Sequence, residues 1–282
     1  MPDSALANAA DAPIGIFDSG IGGLSVLRHV HALLPNESLI YFADSGFAPY
    51  GDKAEEVIVA RTLAVADFLL QQPIKALVVA CNTATAAAIA GLRQRYPQLP
   101  VVGVEPGLKP AALQTQSKVV GVLATERTLA SAKFKRLQDQ VAAASGVRFL
   151  PQACRGLADQ IEKGALHSPE TASLVQQYVA PLLAQGADTL VLGCTHYPFV
   201  LPLIEQTIVA AGKAVGVIDT GAAVARQLQR LLTHHAVAAH PAHRSASVTA
   251  CTTGTDNALA MAFSSLLGMH PVIDEVNVIS TA

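Results

Sequence analysis

Short runs of β-branched and apolar residues alternate along this chain with longer segments in which Ala, Leu and Gln recur at helical spacing. The runs predict strands at Ile14–Phe17, Leu39–Phe42, Ala76–Ala80, Val101–Val104, Val119–Leu123, Val147–Leu150, Thr189–Leu192 and Val215–Ile218. The periodic segments predict helices at Leu24–Leu33, Glu55–Gln71, Thr85–Arg95, Ala130–Ala144, Glu170–Ala184 and Ala222–Leu232. A surface loop is expected over His234–His243, then a last strand, Ser247–Cys251, and a last helix, Asp256–Leu267. The strands are apolar throughout rather than alternating, which is the pattern of a mainly parallel sheet covered by helices on both faces, an α/β fold.

The pattern also repeats. Leu77-Val78-Val79-Ala80-Cys81-Asn82-Thr83 matches Leu190-Val191-Leu192-Gly193-Cys194-Thr195-His196, and Val102-Gly103-Val104 matches Val215-Gly216-Val217 at the same offset. Gly15-Ile16-Phe17-Asp18-Ser19 resembles Gly121-Val122-Leu123-Ala124-Thr125 at a slightly shorter one. Chance similarity among apolar strands would give isolated matches; the common order favours two pseudo-symmetric α/β units. Ligands of parallel sheets sit at the carboxyl ends of strands. Asp18-Ser19-Gly20, Cys81-Asn82-Thr83 and Cys194-Thr195-His196 all fall there, so a pseudo-twofold arrangement would make the two cysteine-bearing ends face each other across a cleft.

Composition narrows the classes. A chain of 282 residues that is 51% hydrophobic and 14% charged can bury one large core or two ordinary ones. Its formal net charge of -2 supplies no basic field for nucleic acid. The charge-free stretch Ala76–Leu92 is interrupted by Asn82, Thr83 and Thr85, so no continuous membrane span is expected. The first dozen residues lack a basic region and an apolar one, reading as a flexible tail over 1–12 of a cytoplasmic protein. Four widely spaced cysteines without a C-x-x-C pair suit free thiols, not a metal site or a disulfide framework.

Cys81 and Cys194 each lie between a strand end and a following helix start, where free N–H groups and the helix dipole favour a thiolate. One such cysteine would be a small core residue as readily as a reagent. Two in matching polar contexts suggest more: thiols on opposite sides of one carbon can remove a proton from one face and return it to the other, whereas a hydrolase needs one nucleophile. His196 follows Cys194 by two positions, on the same side of an extended segment. The glycines after Asp18 fail the dinucleotide pattern G-x-G-x-x-G because Ser25 stands at its last position. Pro49-Tyr50-Gly51 reads equally as a loop turn.

Through IGIFDSGIGGLSVL (14–27), YFADSGFAPYGDK (41–53), VVACNTATA (78–86) and LVLGCTHYPF (190–199), nearly the whole chain after the tail resembles the glutamate racemases of the aspartate/glutamate racemase family. The resemblance implies interconversion of L- and D-glutamate without pyridoxal phosphate, metal or any other cofactor, supplying D-glutamate for peptidoglycan. It implies Cys81 and Cys194 as paired acid and base, Asp18 supporting Cys81 and His196 supporting Cys194. By the same resemblance Asp18, Ser19, Tyr50, Gly51, Asn82, Thr83, Thr125, Thr195 and His196 contact substrate. Glu162 matches an acid that positions the histidine, or is a solvated helix residue. The second unit, 107–221, would be inserted in the first, 13–106 plus 222–282. A homodimer and a cell-wall-precursor effector are compatible with the family; the featureless tail carries no sign of the latter. The alternatives are an aspartate or broader racemase, a cysteine amidohydrolase using Cys194 and His196 that dispenses with Cys81, and a two-lobed amino-acid-binding module without turnover.

Overall fold

The computed structural model describes residues 10–239 and 246–279. Ten strands are present among them: β1 (Ile14–Asp18), β2 (Leu39–Ala43), β3 (Ala76–Val79), β4 (Val101–Gly103), β5 (Val119–Ala124), β6 (Arg148–Ala153), β7 (Thr189–Gly193), β8 (Gly216–Ile218), β9 (Val248–Thr252) and β10 (Val272–Glu275). The helices are α1 (Leu24–Leu33), α2 (Glu55–Leu69), α3 (Asn82–Arg95), α4 (Leu108–Gln114), α5 (Glu126–Ala130), α6 (Ala132–Ser145), α7 (Leu157–Glu162), α8 (Pro169–Ala184), α9 (Leu201–Ala210), α10 (Gly221–His234) and α11 (Asp256–Leu267). The chain divides into two compact units, one made of the described residues up to Val104 and from Gly221 onward, the other of Glu105–Thr220.

In the first unit, β1, β2 and β3 are buried at every position, as strands covered on both faces must be. The sheet order is β10-β9-β2-β1-β3-β4 and all pairings are parallel. Alternation sorts the side chains: Phe17, Ile40, Phe42, Leu77 and Val79 form one core with Ile58, Val65 and Leu69 of α2 and Ile89 and Leu92 of α3. The opposite face carries Tyr41, whose ring meets Phe263 of α11 edge-on at 5.7 Å.

The second unit has the order β6-β5-β7-β8, again parallel throughout. Val120, Val122, Phe149 and Val191 pack with Leu108 and Ala111 of α4 and Phe134 and Val141 of α6. Gly121 faces the other way, where an added Cβ would lie 2.7 Å from Leu190 and 2.8 Å from Leu182 of α8. Its four strands follow the same order as β2-β1-β3-β4 of the first unit, so the sequence repeat is a repeat of topology.

The elements depart from expectation at identifiable places. The last strand is β10, after α11, rather than β9. Helix α3 begins at Asn82, three residues early, because Cys81 is its N-cap. The helix expected from Ala130 is broken at Ser131, whose hydroxyl accepts from the Phe134 amide and caps α6. His234 closes α10 instead of opening the loop expected to 243, of which 240–243 lie outside the described residues, as do 1–9 of the tail. Among the described residues no helix is long and apolar enough to cross a membrane.

Candidate active site

Strand order decides where polar groups can gather. In the first unit the chain runs from β1 to β2 on one side and then to β3 on the other, so the carboxyl ends of β1 and β3 flank a crevice. Asp18 ends β1, fully buried, and Cys81 follows β3 one residue beyond Ala80. Asp18 Oδ1 accepts from the Ser19 amide at 2.6 Å and from the Ser19 hydroxyl at 3.1 Å, and Ser19 Oγ lies 3.5 Å from Cys81 Sγ. Asp18, expected to support Cys81, is therefore joined to it through Ser19. At the α3 N-terminus Cys81 Sγ also accepts from the Ala84 amide at 3.5 Å, within reach of the positive end of a four-turn helix.

The turn that returns from Asp18 to α1 leaves no room for a side chain at Gly23 unless a neighbour shifts. A Cβ there would lie 2.7 Å from Asp18 Cβ and 2.9 Å from the Tyr41 hydroxyl. That hydroxyl donates to the Gly20 carbonyl at 2.6 Å, fixing the turn's path. Asn82 and Thr83 are buried in the first turn of α3, with Asn82 Nδ2 donating to the Val104 carbonyl at 3.4 Å. Thr85 Oγ1 donates to the Val79 carbonyl at 3.0 Å and accepts from the Val104 amide at 3.1 Å, stitching α3 to β3 and the end of β4. Tyr50 and Gly51 lie in a short 3-10 helix, Tyr50–Asp52, and Tyr50 is buried with its hydroxyl donating to Asp44 Oδ2 at 2.6 Å.

The second unit repeats the crevice with different chemistry. Thr125 follows β5, half-buried, and caps α5 by accepting from the Thr128 amide at 3.2 Å. Cys194 follows β7, and its Sγ lies 3.6 Å from His196 Nδ1. His196 Nε2 lies 2.5 Å from Glu162 Oε1, so Glu162, at the end of α7, pairs with the histidine and is only partly exposed. Burial alone would push His196 down, but its hydrogen bonds to Cys194 and Glu162 outweigh this and hold the imidazole well above the ordinary histidine range. Thr195 is buried beside it. Gly193 lets β7 pass close to β5: a Cβ would be 2.9 Å from the Leu123 carbonyl oxygen.

Each unit thus assembles its own thiol cluster, one backed by a hydroxyl and a carboxylate, the other by an imidazole and a carboxylate. At Cys154, beside the Tyr197 hydroxyl, and at Cys251, near Asp274, burial dominates and pushes both thiols up, away from reactivity. Sequence reasoning passed over Asp44, which accepts from the Tyr50 hydroxyl, and Arg61 and Thr253, which donate to Asp44. The available signal was an arginine on the buried face of α2, among Ile58, Thr62 and Val65. Among the described residues no group of three or more His, Cys, Asp or Glu could hold a metal ion.

Residues 14–228 match the Asp/Glu/hydantoin racemase family. The chain is 60% identical over 228 residues to the glutamate racemase of Ectopseudomonas mendocina, covering 81% of this chain and 85% of that one. Among solved structures it is similar to the Francisella tularensis glutamate racemase in complex with D-glutamate, with a TM-score of 0.83 and 26% identity over 96% of this chain and 100% of that one. It is likewise similar to the Escherichia coli glutamate racemase in complex with L-glutamate and the activator UDP-MurNAc-Ala, with a TM-score of 0.79 and 30% identity over 95% and 99% of the two chains.

Proposed function

Because the chain belongs to the Asp/Glu/hydantoin racemase family, we propose that it interconverts L- and D-glutamate by proton transfer between two thiols, Cys81 and Cys194. The observation that carries this reading is the pairing of clusters. Each thiol follows a strand at the crevice of its unit, with the Ser19 hydroxyl beside Cys81 and the His196 imidazole beside Cys194.

On this reading Cys194 as thiolate takes the Cα proton of L-glutamate and becomes a thiol. Cys81, a thiol, gives its proton to the opposite face and becomes a thiolate; D-glutamate is consumed by the reverse. The Cys194 thiolate is stabilised by the protonated His196, whose other nitrogen donates to Glu162. The Cys81 thiolate is stabilised by the Ala84 amide, the α3 dipole and Ser19, whose hydroxyl can donate either to Asp18 or to the sulfur. Asp18, Ser19, Tyr50, Gly51, Asn82, Thr83, Thr125, Thr195 and His196 contact the substrate. Two thiols suffice for the proton exchange, so no cofactor is assigned. The D-glutamate formed serves peptidoglycan synthesis in the cytoplasm.

The test is to incubate the purified protein with L-glutamate alone, under reducing conditions and with a chelator, following optical rotation and total glutamate. Rotation should decay to zero at constant glutamate. Consumption of glutamate would mark a hydrolase, and binding with constant rotation a non-catalytic module. The nucleotide-sugar that activates the Escherichia coli protein is the effector to add in the same assay.

A further inference from the structure

Tyr50 belongs to the proposed substrate-binding step, yet its side chain is committed to the protein interior. Its ring lies 6.2 Å from Phe17 and 5.9 Å from Phe47, and its hydroxyl donates to Asp44. What the 50–51 step presents to a substrate is then main chain, and its geometry depends on whatever holds the loop from behind.

That support converges on one fully buried carboxylate. Asp44, directly after β2, accepts at Oδ2 from Tyr50 and from Arg61 Nε at 2.8 Å, and at Oδ1 from Arg61 Nη2 at 2.6 Å and Thr253 Oγ1 at 2.8 Å. Arg61 reaches in from α2, donates through Nη1 to the Val278 carbonyl, and stacks 4.7 Å from the Phe47 ring centroid. Thr253, directly after β9, accepts from the Gly46 amide at 3.1 Å. Loop and threonine approach so closely that a Cβ on Gly46 would sit 2.3 Å from the Thr253 carbonyl oxygen. A buried ion pair is a poor source of stability compared with apolar packing. Its geometric demands are strict, however: a bidentate guanidinium and two hydroxyls accept one arrangement of the loop.

We propose that Asp44, Arg61 and Thr253 are positioning residues for glutamate binding, a buried clamp that holds the 44–53 loop in its substrate-binding conformation. The proposal rests on the glutamate reading above. If loss of the clamp leaves the loop competent only about a tenth of the time, apparent affinity falls about tenfold. The thiols are untouched, so kcat stays within about threefold.

The experiment combines hydrogen exchange of the 44–53 amides, which needs no substrate, with kcat and KM in both directions. Asp44→Asn, Arg61→Lys and Thr253→Val should each accelerate exchange and raise KM about tenfold. Arg61→Lys keeps the charge but cannot span Asp44 and Val278. Thr253→Ser, which keeps the hydroxyl, should return both readouts towards wild type. Thr253→Val is nearly isosteric and serves if Asp44→Asn does not fold. Arg95→Met, which breaks the exposed pair with Asp67 between α2 and α3, should change neither. Unchanged exchange, unchanged KM, or a loss confined to kcat in an active enzyme overturns the clamp alone. A wild type that leaves L-glutamate unracemised overturns the functional reading, and with it the clamp's role in glutamate binding.

Discussion

Cys81 and Cys194 differ less in burial than in company. Both are about one-twentieth exposed, 5% and 6%, but only Cys194 has an imidazole beside it. On the proposed mechanism the two act as one unit, so Cys81→Ala and Cys194→Ala should each cost about as much racemisation as the double change, with glutamate binding retained by calorimetry. Near-wild-type turnover in either would contradict it. Glu162 offers a finer test. His196 is held above its ordinary 6.5 by its hydrogen bonds to Cys194 and Glu162. Its stabilising contribution is therefore complete below the unfolded value and is lost as pH rises through the higher folded one. Glu162→Gln removes one raising partner, so the alkaline limb of kcat/KM should move to lower pH. The enantiomers have equal free energy, so kcat/KM must fall by the same factor in both directions; unequal factors would expose an assay error. An unmoved limb would show that Glu162 does not set the histidine's charge.

At the scale of elements, backbone proximity at the crevices governs what the sequence can hold. Gly23→Ala would drive a methyl group against Asp18 and Tyr41, and should destabilise the protein by about 1–3 kcal/mol, measured by urea unfolding. A smaller loss would mean that the turn can shift. In the second unit Asp188 anchors the 115–117 loop. Burial raises its pKa, but the Thr115 hydroxyl, the Ser117 and Gln116 amides and the Thr189 hydroxyl outweigh that and lower it to about 2. Its contribution is present above the unfolded value of 3.8 and fades as pH falls through about 2. Asp188→Asn should therefore flatten the fall of urea midpoint across that window, and an unaltered slope would contradict this. Strands such as β1 and β7 were legible because runs buried on both faces are apolar throughout. β10 was not: it is an edge strand with Val272, Asp274 and Glu275 exposed, and so lacks that pattern. β6 extends through Pro151, a residue that ends most strands but is tolerated at an edge. α9 was obscured by Pro198 and Pro202 flanking its start and by an almost continuous apolar run.

For the molecule as a whole, the repeat was the most informative feature of the sequence. It placed β3 and β7, with their following cysteines, in equivalent positions of two sheets of the same strand order. The thiols and their near neighbours were legible because polar residues interrupt apolar strands there. The Asp44–Arg61–Thr253 cluster was not, since its members lie far apart in sequence and converge only through the sheet and α2. The proposed mechanism assigns Cys194 to one face of the α-carbon and Cys81 to the other. It is tested most directly in D2O, starting from L-glutamate and following both enantiomers by chiral separation and mass. Because the protonating thiol exchanges with solvent before it delivers, D-glutamate should carry deuterium at Cα from its first appearance, while recovered L-glutamate lags. Equal early labelling of both enantiomers, or D-glutamate that retains the original proton, would contradict two-thiol transfer.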